Sequence, residues 1–415
     1  MTVHVIGAGL AGLAAGVALA KAGVAVEVSE AAAQAGGRCR SYFDSQLGAV
    51  IDNGNHLVMS GNQAVRDYLR LIGAGDRLKG PDAAEFDFVD LPTGARWRVR
   101  PNASALPLWI LAPGRRVPGT VAGDYLALAK LLRAKDDARV DQAVRAEGLL
   151  WTRLVEPLLL AALNTAPREG SARLAAAIVR ETLGRGGRAC MPRIAAPTLA
   201  AAFVDPAVAF IQAHGGTVRT GRRLKSMDFS EGRVSTLAFA DGETPVAETD
   251  KVVLATPPWA AKDLVPGLVA PDDFRAIVNG HFLIAPPPGL PAMLGVIGAT
   301  VEWIFCFEDR ISITISGADR LADADRAALA ETLWAEVARA LGLTVPLPPW
   351  RIVKEKRATF AATVEQDRLR PPAHTAWDNL VLAGDWTQTG LPATIEGALR
   401  SGFTAARLAS RGEPR

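Results

Sequence analysis

An α/β fold in two lobes is predicted by three observations. They are a strand, glycine turn and helix at the start of the chain, a buried strand running into a loop and a helix near its end, and a length of 415 residues, long for one compact domain. One lobe is expected to be Rossmann-like and to bind a dinucleotide, the other to be a mixed α+β layer that takes the substrate. Two lobes also make a cleft.

At the N-terminus, Val3-His-Val-Ile6 leads into Gly7-Ala-Gly9-Leu-Ala-Gly12. Gly7 permits the tight turn, Gly9 lets backbone approach a pyrophosphate, and Gly12 lets the helix pack closely on the strand. Leu10 and Ala11 open that helix, whose positive N-terminus is the expected seat of the phosphates. Val24-Ala-Val26-Glu-Val28 alternates like a second strand. Glu30 at its end is placed to accept hydrogen bonds from a ribose hydroxyl pair, which favours a free ribose over a 2′-phosphate. The agreement of strand, spacing and terminal acid separates this motif from an ordinary strand-to-helix turn. Gly36-Gly37-Arg38 follows.

Composition excludes several classes. The 46 basic and 43 acidic residues nearly balance, giving a net charge of +3 and a pI near 8.8. They form no long basic run, so no nucleic-acid partner is expected. Cys39, Cys190 and Cys306 are dispersed, odd in number and without CxxC spacing, so no metal site is expected and a reducing cytoplasm is the simplest home. The first strand begins by Val3, so no secretory leader is expected. Apolar runs stay short of the roughly 18 residues a spanning helix needs, because Glu156 and Pro157 interrupt residues 149–162. The expectation is a cytoplasmic protein, soluble or peripheral at the inner face of the membrane.

The nucleotide lobe reads as three separated pieces, residues 1–62, 198–259 and 376–410. The second contains His214-Gly-Gly-Thr-Val218, a strand over 233–240 and Lys251-Val-Val-Leu-Ala255, which together imply a continuation of the sheet. The third holds the buried strand Asn379-Leu-Val-Leu-Ala-Gly384-Asp385 and a helix from about 393 to 407. Between the pieces lie the two halves of the substrate lobe. Residues 63–197 carry Leu, Ala and Arg at helical spacing, broken by Pro101, Pro107, Pro113 and Pro118. Residues 260–375 hold alternating stretches such as Trp303-Ile-Phe-Cys-Phe307 and Arg310-Ile-Ser-Ile-Thr-Ile315, plausible antiparallel strands, interrupted by a helix over 323–341. Residues 411–415 read as a polar tail.

Taken with the N-terminal glycines and Gly36-Gly37-Arg38, the segment Ala383-Gly-Asp-Trp-Thr-Gln-Thr-Gly-Leu-Pro-Ala-Thr-Ile-Glu-Gly-Ala-Leu-Arg-Ser-Gly402 resembles the FAD signature of the amine oxidase and phytoene desaturase superfamily, whose nucleotide lobe is of glutathione-reductase type. The resemblance implies that Asp385, after Gly384, binds the ribityl-phosphate region, and that Arg38, after Gly37, lies near the pyrophosphate. A helix opening at Ala393, Thr394 and Ile395 would aim its amides at the N1/O2 edge of the flavin, where the reduced ring carries negative charge. Lys251-Val-Val-Leu-Ala-Thr-Pro-Pro258 resembles the family's strand beside the adenosine half, which would bring the backbones of Thr256 and Leu224 to adenine. No cysteine or histidine lies in residues 386–402, so the FAD is expected to be noncovalent.

Within the superfamily the sequence is most similar to the squalene-associated branch, the hydroxysqualene dehydroxylases of hopanoid biosynthesis. The likeness rests on residues 384–398, on Asp52-Asn-Gly-Asn-His56, and on Trp151 with Glu156-Pro-Leu-Leu-Leu-Ala-Ala-Leu-Asn-Thr165. It implies reductive removal of an allylic hydroxyl, giving squalene. Protonation would release water, the double bond would spread the cation, and hydride from reduced flavin would quench it, leaving the protein to position, protonate and exclude water. His56, which the likeness places near the flavin ring, is the candidate acid, with Asp52 and Glu302 as alternatives.

The partner implied is a long apolar isoprenoid. It gains about 0.8 kcal/mol per buried CH2, so its pocket should be apolar, and Leu106-Pro-Leu-Trp-Ile-Leu111, residues 158–163 and Phe282-Leu-Ile284 supply such material. Its insolubility favours peripheral membrane association. No second glycine fingerprint marks an NAD(P)H domain, so electrons must come from an external donor that the sequence does not identify. The rival readings are an FAD-dependent isoprenoid or carotenoid desaturase, which runs the redox step in the other direction, and a noncatalytic FAD-binding isoprenoid carrier. An amine oxidase is disfavoured because the chain has only three tyrosines with which to pair aromatic rings against the flavin.

Overall fold

Apolar runs with no polar face, such as Val3-His-Val-Ile6 and Lys251-Val-Val-Leu254, belong in a parallel sheet covered on both sides. They form one. In this computed structural model, which describes residues 1–410, the strands Thr217–Arg219, Ala25–Ser29, Thr2–Ile6, Lys251–Leu254 and Leu380–Leu382 lie side by side in that order. All are parallel. The expected tail, 411–415, lies outside the described residues.

Two helices pack closely against each other beside this sheet, Leu10–Lys21 and Ile395–Ser410. Small residues allow the approach, since a Cβ on Gly402 would stand 2.2 Å from the Ala11 carbonyl oxygen. The first helix is apolar almost all round and is buried almost all round.

The substrate lobe is built on a seven-stranded mixed sheet. Its order is Trp350–Phe360, Phe274–Phe282, Ile311–Ile315, Trp303–Cys306, Met293–Ile297, Phe86–Asp90 and Arg96–Val99. Period-two alternation divides its faces. Val278, Phe282, Ile311, Ile313 and Ile315 join Leu333 and Val337 of the helix Arg326–Leu341 in one core. Asn279, His281, Ser312 and Thr314 alternate with them along the same two strands. The helix starts later than the pattern suggested because Asp325 caps it, its Oδ1 accepting from the amides of Ala327 and Ala328 at 2.9 and 3.0 Å.

Two expectations are corrected. Arg233–Phe239 does not continue the parallel sheet; it sits between Leu224–Ser230 and Gly242–Pro245 in a separate antiparallel sheet. Glu231 and Gly232 both take positive φ, 50° and 75°, making the two-residue turn that reverses a strand onto its neighbour. Residues 63–197, read as helical, do hold the helices Gln63–Leu71, Glu156–Leu163 and Ala172–Glu181. They also contribute Phe86–Asp90 and Arg96–Val99 to the sheet, stabilised by Phe88 stacked on Trp97 with ring centroids 5.6 Å apart. That alternation of aromatic and charged residues is a strand signal of period two.

Candidate flavin site and its substrate-side wall

The glycine turn has the geometry its spacing demands. Gly7 takes φ +106°, and a Cβ there would lie 2.6 Å from the Ala255 carbonyl oxygen. At Gly12 a Cβ would fall 1.9 Å from the carbonyl oxygen of Gly7, so protein packing alone forbids a side chain. Gly9 differs: its φ of −71° suits any residue, and a Cβ would meet nothing within 4 Å. What Gly9 keeps clear is therefore space outside the protein's own packing, in front of a helix N-terminus with no side-chain cap and no acid in its first turn. The amides of Leu10 and Ala11 open that terminus. Gly36 bridges to Gly9, and a Cβ on Gly37 would come within 3.3 Å of the Gly9 Cα.

Glu30 closes the far side of this turn. One oxygen accepts from the Ala8 amide at 2.7 Å and the other from the Ala32 amide at 2.8 Å. The carboxylate thus anchors the glycine loop, and each oxygen retains acceptor capacity for a hydroxyl. The Arg222 amide donates to the Glu30 carbonyl, 2.8 Å, which brings the segment leading to Leu224 alongside. Leu224 itself is buried in the core, leaving its backbone as the group it can offer. Thr256 lies against Gly7 and accepts from the Trp386 indole N–H at 3.0 Å through its carbonyl, while its buried hydroxyl has no protein partner.

Arg38 crosses from the glycine loop to the C-terminal segment. Its Nη2 donates to Asp385 Oδ2 at 2.7 Å and its Nη1 to the Ala358 carbonyl at 2.6 Å. Asp385 is buried, whereas Arg38 stays 41 % exposed along its side chain and keeps donors free. The loop from Gly384 is shaped from beneath by Arg370, a residue the sequence reading missed. This guanidinium is buried and donates to the carbonyls of Asp385 and Thr387, to Thr389 Oγ1 at 2.7 Å and to Asp367 Oδ1 at 3.0 Å. No motif marks it, because its partners converge only on folding. The loop ends where Thr394, after Ala393, accepts from the Gly397 amide at 3.0 Å, capping the helix that begins at Ile395. Glu396 in its first turn reaches away, accepting from the amides of Ala64 and Val65 at 3.0 Å each.

His56 joins this group. Burial and the neighbouring Arg38 charge pull its pKa down to about 4, against a smaller opposing pull from a hydrogen bond with the Arg38 backbone and from Asp385. At neutral pH the ring is a neutral imidazole with one N–H to offer. The loop that carries it is held against the polar side of the large sheet. Asn55 Nδ2 donates to the Ile313 carbonyl and to Thr314 Oγ1, both 3.1 Å, and Thr314 in turn donates to Asn279 Oδ1 at 2.8 Å. A Cβ on Gly54 would lie 2.9 Å from Asn279 Nδ2. The sequence reading did not single out Asn279 or Thr314, whose strand register alone pairs them.

The two alternative acids are placed differently. Asp52 Oδ1 accepts from Ser41 Oγ at 2.6 Å and from the Leu199 amide at 2.9 Å, and Oδ2 faces buried Arg310 at 3.6 Å. It ties a hairpin to its surroundings. Glu302 accepts from the Ser316 amide at 2.8 Å, and burial pushes its carboxyl up to about 7. A chain of contacts through Ser316-Gly317, Asn164, Thr359 and Ala358 separates it from Arg38. Of the apolar stretches, Leu159, Leu163 and Phe282 pack into cores, while Leu106, Leu108 and Leu111 face outward. Among the described residues no group of His, Cys, Asp and Glu could hold a metal ion. No helix among them is long and apolar enough to cross a membrane.

A glycine-lined helix N-terminus, a strand-end carboxylate and an exposed arginine locked to a buried aspartate suit a dinucleotide whose pyrophosphate bridges the two halves. The chain belongs to the flavin containing amine oxidoreductase family, whose model matches residues 10–410. It is 56 % identical to the hydroxysqualene dehydroxylase of Rhodopseudomonas palustris over 98 % of each chain. It is 52 % identical to the hydroxysqualene dehydroxylase of Sinorhizobium fredii, again over 98 % of each. In fold it superposes on an oxidoreductase from Methanosarcina mazei with a TM-score of 0.74, covering 98 % of this chain and all of the other at 14 % identity.

Proposed function

We propose that this protein removes the allylic hydroxyl of hydroxysqualene to give squalene, in hopanoid biosynthesis, as an FAD-dependent oxidoreductase. The observation that carries the reading is likeness to hydroxysqualene dehydroxylases along nearly the whole chain, through both lobes. A fold shared with distant oxidoreductases would not choose among substrates.

When bound and reduced, FAD supplies the hydride equivalent that replaces the departing hydroxyl. The chain's own residues do the rest. Gly9, Leu10, Ala11 and Gly12 present backbone N–H groups to the pyrophosphate, Arg38 adds positive charge, and Gly37 keeps backbone close. Glu30 would accept from the ribose, the backbones of Leu224 and Thr256 would border adenine, and Asp385, beside Gly384, would order the ribityl-phosphate region. Ala393, Thr394 and Ile395 would present the amides of the last helix's N-terminus to the flavin, where they would favour negative charge.

His56 offers its N–H to the departing oxygen; because the ring is neutral, the proton it passes on as the C–O bond breaks is matched by one that its other ring nitrogen takes from solvent, so the imidazole ends neutral and water leaves. The atoms balance: one hydroxyl leaves as water with one proton, and one C–H bond forms with two electrons from outside the substrate. The reading is tested by incubating reduced holoprotein anaerobically with hydroxysqualene and quantifying squalene and oxidised cofactor together. Stoichiometric squalene is expected. Conversion of squalene or a carotenoid into a more unsaturated product by oxidised protein, with hydroxysqualene untouched, would establish the desaturase reading instead.

A further inference from the structure

Large apolar side chains left exposed in a soluble fold are usually scattered. Here they cluster. Of eleven exposed large hydrophobics among the described residues, six are Leu106, Leu108, Leu111, Val121, Leu126 and Leu149. Leu149 lies far along the chain from the others but sits against the same loop, its Cδ1 2.8 Å from where a Gly119 Cβ would be.

The cluster is held in place rather than frayed. Asn102 Oδ1 accepts from the Trp109 amide at 3.0 Å and Asn102 Nδ2 donates to the Leu106 carbonyl at 2.8 Å. Trp109 then turns inward, edge-on to Tyr125 with centroids 5.1 Å apart, and the Tyr125 hydroxyl accepts from the Val117 amide at 3.0 Å. With Trp109 and Tyr125 buried, the helical turns Leu108–Leu111 and Ala122–Tyr125 are pinned together, and Leu108, Leu111 and, just past the second turn, Leu126 face out. Keeping five leucines and a valine exposed forgoes the hydrophobic gain of burying them, so this scaffold is organised around something that covers them.

Charge identifies the cover. Residues 100–133 contain Arg100, which pairs with Glu85 at 3.2 Å, and Arg115, Arg116, Lys130 and Arg133, which have no ion-pair partner among the described residues, against the single acid Asp124, while the whole chain carries only +3. Asp124 is engaged locally, accepting from the Val121 amide at 2.8 Å. Leucines rimmed by arginine and lysine match the interface of an anionic bilayer, where the side chains enter the acyl boundary and the cations meet phosphate headgroups.

We propose that the outward leucines of residues 106–126, with Leu149 beside them, form a reversible docking surface for an anionic lipid bilayer. The surface stands on exposure and charge. Its use, loading an isoprenoid directly from the lipid, rests on the function proposed above.

The test is sedimentation of FAD-loaded protein with vesicles of phosphatidylcholine alone or with phosphatidylglycerol added, at low and high salt. Binding to the anionic vesicles is expected, weakening as salt rises. L108D/L111D should lower the partition coefficient by about tenfold or more, equivalent to about 1.4 kcal/mol, and R115E/R116E should remove the preference for phosphatidylglycerol. Both variants should keep wild-type FAD content and melting temperature. Vesicle binding unchanged in L108D/L111D would overturn the proposal. So would a shift of that variant from dimer to monomer in light scattering without any change in vesicle binding, which would assign the face to a second copy of the chain. Because binding is read without turnover, failure of the dehydroxylation reading leaves this result standing.

Discussion

Arg38 and Asp385 meet at 2.7 Å across 347 residues of sequence, fastening the glycine loop at the start of the chain to the loop that precedes its last helix. Removing one partner of a buried ion pair is costly, with losses of about 3–5 kcal/mol for fully buried pairs and less where the charge left behind is half-exposed, as Arg38 is. Asp385→Ala leaves Arg38 unpaired at the mouth of the site. Its melting temperature should fall, and FAD affinity should fall about tenfold or more. Arg38→Lys keeps the charge but cannot serve Ala358 and Asp385 together, so it should fall between. FAD titration by flavin fluorescence checks both; wild-type affinity in Asp385→Ala would remove the aspartate from the site.

Gly9 and Gly12 should fail in different ways. A side chain at Gly12 strikes the Gly7 backbone at 1.9 Å, so Gly12→Val is expected to destabilise the protein itself. Gly9→Val has room in the protein and an ordinary φ, so it should fold with nearly normal circular dichroism and melting behaviour while losing FAD. A folded Gly9→Val protein with full FAD content would refute the pyrophosphate assignment.

Acid should destabilise this protein through buried His281 and half-buried His56. Burial and nearby arginines hold both His56 and His281 down to about 4, below the unfolded value near 6.5. Between those values the unfolded chain binds more protons, so stability is complete above pH 6.5 and is lost as pH falls toward 4. Each ring contributes up to about 3 kcal/mol to that slope. Urea unfolding at pH 7 and pH 5 should show the loss. His281→Asn should flatten it, and an unchanged slope in that variant would mean that other groups carry the titration.

Glu302 works in the opposite sense. Its carboxyl, raised to about 7 by burial, takes up a proton on folding, so the stability it contributes is present at low pH and lost as pH rises through 7. Glu302→Gln keeps an acceptor for the Ser316 amide and removes the buried charge. At pH 8 the variant should be more stable than wild type by about 1–3 kcal/mol, with the gain shrinking as pH falls and vanishing below about pH 4. Dehydroxylation should survive in Glu302→Gln and slow in His56→Ala. The reverse pattern would move the proton-delivery role to Glu302.

The geometry of the glycine turn in the candidate site was legible because it is local. Gly7 and Gly12 answer steric demands within one turn, Gly9 keeps the space in front of it clear, and Glu30 closes that turn from the end of the next strand, so spacing along the chain stands in for spacing in three dimensions. Asp385 and Arg38 were readable only through family likeness, since nothing in either segment says that the two meet. Arg370 and Glu396 were not readable at all. A buried arginine and a buried glutamate look like any surface charge until the backbone carbonyls and amides they satisfy have been brought to them.

By itself, then, the sequence determined the glycine turn, the parallel strands around it and the family whose signature spans both ends of the chain, because these depend on residue type and short-range periodicity. Tertiary structure decided the rest. Strand register set Asn279 against Thr314 and so fixed the loop of His56, and burial beside Arg38 lowered the charge state of that ring. Packing of Trp109 on Tyr125 turned an apolar stretch that could have lined a pocket into a leucine face directed at solvent. In each case the deciding quantity was a distance between residues far apart in sequence, and only the closed fold assigns it.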